Sequence, residues 1–290
     1  MALSTHYSPL RYPGGKSSIF PFSSDLILRN DLAGIRYAEP YAGGAGLALK
    51  LLFNEYVSEI HLNDFDKAIY TFWHCILNQH GDICDWLEDV EISVDNWSYY
   101  RSIYTSTEKH TPLDIAKAVL FLNRTNVSGV LKGGGIIGGS SQTGKYKIDA
   151  RFNKSSLISK IDRISQFKNR IFISNYDGVE FIRKINRRKG EFLIYLDPPY
   201  FQKGAQLYLN FFKKEDHKKL NKAAEKIKKH WFMSYDNNEF ISSLYKSFDR
   251  VTYQLSHSTS NRVGHELLIF PETIKFEESI KKLNSPIKQE

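Results

Sequence analysis

The sequence predicts an α/β fold: a doubly wound, largely parallel sheet split along the chain by an inserted, mainly helical block. Three observations carry this expectation. Residues 35–64 read as strand, glycine turn, helix and a second strand with an acidic end, the opening βαβ unit of such a sheet. From about residue 67 to about residue 165 the apolar spacing becomes helical. Strand-like runs then return and continue into the last third of the chain.

The elements follow in order. A loop, "YSPLRYPGGKSS", leads through a helix to the strand "RYAEP". "YAGGAG" then opens the helix "LALKLLF", and "EIHLND" is the second strand, ending in Asn63 and Asp64. In the inserted block "KAIYTFWHCIL", "NWSYYRSIY" and "PLDIAKAVLFL" read as helices, the last with Thr111 and Pro112 as cap and first turn. Seven of the sixteen residues from Gly129 to Gly144 are glycine, too many for a packed element, so this stretch is read as a long loop. "RIFISN", "EFLIYLD", "HWFMSYD" and "ELLIF" are the later strands, with the lysine-studded helix "DHKKLNKAAEKIKKH" among them. The expected domains are a discontinuous one, 1–66 with 166–290, and an inserted one, 67–165, carrying the glycine-rich loop 129–144.

The chain has 290 residues, 40 of them Lys or Arg against 32 acids, a net charge of +8 that permits a polyanionic partner without requiring one. Its two cysteines, Cys75 and Cys84, lack the spacing of a disulfide framework or a zinc site. No stretch is apolar for long enough to span a bilayer, and the N-terminus lacks the layout of a signal peptide. A soluble, cytoplasmic protein with no metal and no membrane partner is therefore expected.

The residues that could do chemistry lie at strand ends. "LIYLDPPYF", residues 193–201, begins as a buried strand and then places an acid, two prolines and an aromatic in a row. The prolines remove two backbone donors and stop the strand at Asp197. That leaves the Asp197 carboxylate and the Pro198 carbonyl as two acceptors able to hold an amino group, with the Tyr200 ring beside them to stack on a flat heterocycle. After Glu39 the glycine turn lets a ligand approach the backbone, and Asp64 follows Gly43 by 21 positions, where a carboxylate can accept ribose hydroxyls. The dinucleotide fingerprint fits poorly, since Leu49 stands where its last Gly or Ala is required. A nucleoside cofactor is one reading of this turn and a tight structural turn the other. "RYPGGK" is a second glycine turn, flanked by Tyr12 and Lys16, and by itself reads as a surface turn.

In this order and spacing "PLRYPGGK", "AEPYAGGAG", "LNDFD" and "DPPY" resemble the Dam-type DNA adenine-N6 methyltransferases, the D12 class, and the similarity extends through "AVLFLNRT", "FMSYDN" and "NRVGHELLIF". The resemblance implies a Rossmann-like S-adenosylmethionine-dependent methyltransferase sheet with an inserted DNA-recognition domain. It implies methyl transfer to a flipped-out adenine in double-stranded DNA, and a cognate restriction nuclease or defence system as a possible partner. By position it implicates Tyr12 and Lys16 in enclosing the cofactor, Glu39, Tyr41 and Gly43 at its methionine portion, Asp64 at its ribose, and Asn175 and Tyr176 at its adenine. Asp197, Pro198, Pro199 and Tyr200 would hold the target base, Asp197 also bordering the cofactor. In the inserted block Arg124, Lys132, Lys145 and Arg151 are the expected phosphate donors, the alternative being solvated loop cations.

Two departures stand out. The glycine pattern reads Gly43-Gly44-Ala45-Gly46, which shifts the second small residue, and Thr125, Asn126 and Val127 follow "NR" where relatives often carry aromatics. The family's best-known target site therefore does not transfer. Cytosine-N4 methylation, a DNA-binding relative without turnover, and a protein or small-molecule methyltransferase are the competing readings. Attack at cytosine carbon 5 needs a thiolate nucleophile, and neither cysteine has the context for one.

Overall fold

In a computed structural model of the chain, residues 7–11, 16–201, 212–256 and 263–289 are described. A 3-10 turn, Lys16–Ile19, leads into α1 (Phe20–Arg29), β1 (Ile35–Glu39), α2 (Gly46–Phe53) and β2 (Val57–Asn63). The helical stretch follows as α3 (Lys67–Asn78), α4 (His80–Asp89), α5 (Val94–Thr105), α6 (Pro112–Thr125) and α7 (Lys154–Gln166), ending at β3 (Ile171–Ser174). Then come α8 (Gly178–Arg187), β4 (Phe192–Leu196), α9 (Lys214–Ala224), β5 (His230–Asp236), α10 (Glu239–Leu244), β6 (Asp249–Ser256), β7 (Val263–Phe270) and β8 (Asn284–Gln289).

The chain divides into two compact units: Lys16–Phe65 with Tyr176–Glu290, and Met1–Gly15 with Asp66–Asn175. Sequence reading drew the breaks near residues 66 and 165 and kept the N-terminal loop with the sheet. The contacts instead group residues 7–11 and 166–175 with the helices.

In the sheet unit the strand order is β2-β1-β4-β5-β7-β6-β8. β1 pairs in parallel with β2 and β4, and β4 with β5, while β5–β7, β6–β7 and β6–β8 are antiparallel. The five residues of β4, "FLIYL", are all buried, as a central parallel strand covered on both faces requires. Phe181, Ile182 and Ile185 of α8 bury against a core shared with Leu220 and Ala224 of α9, Trp231 and Met233 of β5, and Ile241 of α10. At about 25 cal/mol per Å² of apolar area this packing, and not helix propensity, holds the layers together. The fold is α/β, as the sequence predicts. Sequence reading left out β6 and β8. β6 carried a legible period-two signal, with Val251 and Tyr253 fully buried, whereas "NSPIKQ" of β8 is mostly exposed and carries none.

In the helical unit α6 packs against α3 and α5. The expected cap is present: the Thr111 hydroxyl accepts from the Asp114 N–H and Asp114 reaches back to the Thr111 N–H, with Pro112 at the first turn. The last four residues of α6, Asn123 to Thr125 with Leu122, are buried although three are polar. The glycine-rich stretch forms no helix or long strand, but its backbone closes on itself through Val127 N–H to Gly135 O and Ile137 N–H to Thr125 O. At Gly129, φ is +74° and a Cβ would lie 2.4 Å from the Arg11 carbonyl, so the position excludes any side chain. No helix among the described residues is long and apolar enough to cross a membrane, and no three His, Cys, Asp or Glu among them are grouped to hold a metal ion.

Candidate active site

From β1 the chain runs to β2 on one side and returns to β4 on the other, so the carboxyl ends of β1 and β4 form the point where strand order reverses. The parallel register Ala38↔Ile194 brings Glu39 and the Asp197 corner to the same end of adjacent strands. Glu39 is buried and accepts a hydrogen bond from the Tyr37 hydroxyl at 2.9 Å. Burial raises its carboxyl to about 8, Tyr37 pulls it down, and the charge of Asp197 adds to the rise.

The glycine turn is tied to the end of β2. Gly43, at φ +46°, donates its N–H to Asp64 Oδ2 at 2.8 Å. Ala42 N–H reaches the Asn63 carbonyl at 2.9 Å. The fully buried Asn63 side chain donates to the Pro40 carbonyl at 3.0 Å and exchanges two bonds with the Tyr176 backbone, at 2.8 and 2.9 Å. Asn63 thus pins the Pro40 turn after β1 and the Tyr176 backbone to the end of β2, a role not legible in the sequence. Its only signal was a buried amide just before the acid.

The Asp197 corner is fixed from the neighbouring strands. Ser234 of β5 donates to Asp197 Oδ1 at 2.7 Å, and the Phe201 N–H donates to Asp236 Oδ1 at 3.0 Å. The Tyr200 hydroxyl donates to Glu266 of β7 at 2.7 Å. Lys16, buried, lies 3.0 Å from Glu266 Oε2 and 3.4 Å from Asp197 Oδ1, and also donates to the Tyr200 hydroxyl. Burial raises the Asp197 carboxyl to about 6; Lys16 and Ser234 oppose the rise and Glu266 adds to it. Lys16, Asp197 and Tyr200, all singled out from the sequence, therefore meet at one place, and Glu266, which was not, joins them.

The model of the D12 class N6 adenine-specific DNA methyltransferases matches residues 12–258. The chain belongs to that family. A curated relative is the type II methyltransferase M.CviBI of Paramecium bursaria Chlorella virus NC1A, 23% identical over 274 residues that cover 89% of this chain and 95% of the relative. Among solved structures, "Putative methyltransferase yhhF" of Escherichia coli aligns with 90% of this chain and 91% of its own, at 9% identity and a TM-score of 0.36. "Putative methylase HI0767" of Haemophilus influenzae aligns with 87% of this chain and 99% of its own, at 8% identity and a TM-score of 0.31.

The remaining residues expected of a D12 class methyltransferase fall as follows. Tyr12 lies outside the described residues. Tyr41 packs its ring on the start of α8, where a Cβ on Gly178 would lie 2.4 Å away, and meets Phe212 edge-on at 5.8 Å. Its hydroxyl is buried with no partner among the described residues. Tyr176 is 40% exposed and Phe65, just after Asp64, is 56% exposed. Phe65 was not among the expected residues, although an aromatic directly after Asp64 was the available signal. Asn175 falls in the helical unit.

Of the four cations, Lys132, Lys145 and Arg151 are exposed. Lys145 and Arg151 both flank the exposed Tyr146 ring, at 5.8 and 5.7 Å, a cation–aromatic surface of the kind nucleic acids stack on. Arg124 differs from expectation. It is buried, and its Nε and Nη2 both donate to the Pro9 carbonyl, the former at 2.8 Å. Its guanidinium ties the N-terminal loop to α6 in place of a phosphate. Arg124→Ala leaves that carbonyl unpaired and is expected to destabilise the protein by about 1–3 kcal/mol. Urea unfolding measures this, and the salt slope of DNA binding should stay unchanged.

Proposed function

We propose that this DNA methyltransferase transfers methyl from S-adenosylmethionine to the N6 amine of an adenine flipped out of duplex DNA. The observation that carries the reading is the Asp197 corner: a carboxylate and a proline-locked carbonyl, tied by Ser234, Asp236 and Glu266, at the end of the strand beside β1 and at the same end of the sheet as Glu39.

The donor set at the strand ends suits the cofactor. Glu39 is a buried acid that a cationic ammonium group beside it would ionise and pair with, Asp64 stands at the end of β2 with its carboxylate on the Gly43 N–H and has a further oxygen for ribose hydroxyls, and Phe65 and Tyr176 are exposed aromatic rings able to flank an adenine. When bound, the cofactor supplies an electrophilic methyl on a positive sulfonium. An aromatic amine is a weak nucleophile because its lone pair is shared with the ring. Asp197 and the Pro198 carbonyl accept its two N–H bonds, drawing the nitrogen toward tetrahedral geometry and freeing that pair. As the N–C bond forms the methyl–sulfur bond would break, its electron pair staying on sulfur as a neutral thioether, and the surplus amine proton would leave through Asp197 to solvent. Acceleration comes from positioning and electrostatics, without a covalent enzyme intermediate. A base within a duplex cannot enter such a corner, so it is extruded and stacked on Tyr200. Lys132, Lys145 and Arg151 contact the DNA backbone from the helical unit, and Arg124 supports that unit from within. The type II designation of the viral relative extends the reading to a restriction–modification setting inside the cell, with a cognate nuclease as partner.

The test is methyl incorporation from labelled cofactor into duplex DNA, with the modified base identified by sequencing. N6-methyladenine at a defined site supports the reading. N4-methylcytosine, or cofactor and DNA binding without transfer, overturns it. The pH dependence has a defined sign. Asp197 accepts the amine only when ionised, so its carboxyl near 6 predicts single-turnover rates that are flat above pH 7 and fall about tenfold per unit below pH 6. A rate unchanged between pH 7 and 5 contradicts the assignment.

A further inference from the structure

Buried acids are rare, because an isolated carboxylate in apolar surroundings costs several kcal/mol. Glu266 is one: it sits at 3% exposure within the apolar strand β7, between Asp236 of β5 and Tyr253 of β6. No local pattern in the sequence marks it, and in the proposed transfer it touches Tyr200 and Lys16 and not the reacting amine. Its surroundings are specific. One hydroxyl, from Tyr200, donates into it at 2.7 Å, Tyr253 approaches at 3.4 Å, and the Lys16 ammonium lies at 3.0 Å. That same ammonium is 3.4 Å from Asp197, so one lysine is shared by two carboxylates and sits closer to Glu266.

We propose that Glu266 is a positioning residue for methyl transfer: it fixes the Tyr200 ring and holds the Lys16 ammonium off Asp197, leaving the Asp197 carboxylate to receive the substrate amine. The proposal rests on the adenine-methylating reading and deepens it. Lys16 begins a short 3-10 turn, whereas Glu266 is clamped in the sheet between two strands, so the acid is the fixed member of the pair. Without its charge, the ammonium is drawn to the other carboxylate already beside it, Asp197, and a closed Lys–Asp pair has fewer lone pairs for an incoming amine. A purely structural ion pair would also satisfy a buried acid, and the two roles differ in what they do to Asp197.

Asp197 is faced by Lys16 from the 3-10 turn, Ser234 from β5, Glu266 from β7, Tyr253 from β6, Tyr37 and Glu39 from β1, and Tyr195 and Tyr200 on its own segment. Among these Glu266 raises the Asp197 carboxyl and Lys16 lowers it. Neutralising Glu266 removes a raising charge and moves a lowering one closer, so both effects shift the acid limb of the rate profile to lower pH.

The experiment compares wild type, Glu266→Gln, Lys16→Met and the double variant in single-turnover transfer from pH 5 to 8, with cofactor and DNA dissociation constants measured alongside. Glu266→Gln is expected to lower the plateau rate about 10- to 100-fold, the loss of one charge-assisted bond, to move the acid limb downward, and to change both dissociation constants by less than about threefold. Lys16→Met is expected to move the limb upward. The double variant should lose no more than Glu266→Gln alone, because the misplaced ammonium is gone. If Glu266→Gln does not fold, Glu266→Asp keeps the charge but shortens its reach, and should lower the plateau while the limb stays in place. A wild-type plateau and limb in Glu266→Gln overturn the proposal. A loss with an unmoved limb and equally weakened binding assigns Glu266 a structural role and overturns it too. A wild-type protein that leaves adenine unmethylated fails at the reading of function, and the active wild type in the same assay separates that failure from this one.

Discussion

Asp197→Ala is expected to lower the single-turnover rate of methyl transfer by about 10²–10³-fold or more, the cost of deleting one preorganised polar group that acts on charge developing in a transition state. The variant deletes the partner of both Ser234 and Lys16 and, in the proposed reading, the acceptor of one amine hydrogen. Binding should survive. In the proposed reading Asp197 acts on the reacting amine, whereas Lys132, Lys145 and Arg151, the exposed cations proposed for the DNA backbone, belong to the other unit. DNA affinity within about threefold of wild type, measured by fluorescence anisotropy, together with the lost rate is the expected pair of results. A variant that transfers methyl at the normal rate removes Asp197 from the mechanism. One that loses DNA binding as fully as turnover makes it part of the fold and not of the chemistry.

Asp64→Ala should act on the cofactor. The carboxylate takes the Gly43 N–H at 2.8 Å and, in the proposed reading, the ribose hydroxyls as well. Hydrogen bonds to a charged group contribute roughly 1.5–3 kcal/mol each, so the dissociation constant for S-adenosylmethionine should rise about 10- to 100-fold. Gly43 holds a left-handed conformation, and releasing its N–H also loosens the turn that meets the ligand. Transfer rate at saturating cofactor should fall only a few-fold, because the corner at residues 197–200 is held by β5 and β7 and not by Asp64. Calorimetric titration of the cofactor decides the point: an unchanged affinity removes Asp64 from the ribose.

Much of this arrangement was legible before any coordinates. "LIYLDPPYF" announces its strand by apolar residues and its end by prolines, both of which are local effects of side-chain burial and ring closure. The glycine turn and the Asp64 that follows it by 21 positions were readable for the same reason, since spacing along one βαβ unit is a local constraint. Thr111 and Pro112 as cap and first turn were readable as well, while the return bond from Asp114 came from the structure. Arg124 was misjudged because an arginine at the end of a helix looks the same in sequence whether it faces solvent or a carbonyl 115 positions away. Glu266 was missed because a lone acid inside "GHELLIF" has no local pattern to mark it.

The α/β class, the strand ends at which the acids stand and the family of the chain follow from local sequence. That Lys16 is shared between Asp197 and Glu266, that Asn63 ties Pro40 to Tyr176, and that Arg124 is bonded inside its own unit follows only from long-range packing. The reason is physical. Secondary structure and turn chemistry follow from interactions within a few residues, whereas the charge state and availability of a buried group depend on which partners the fold delivers from distant strands, and nothing in the local sequence specifies those partners.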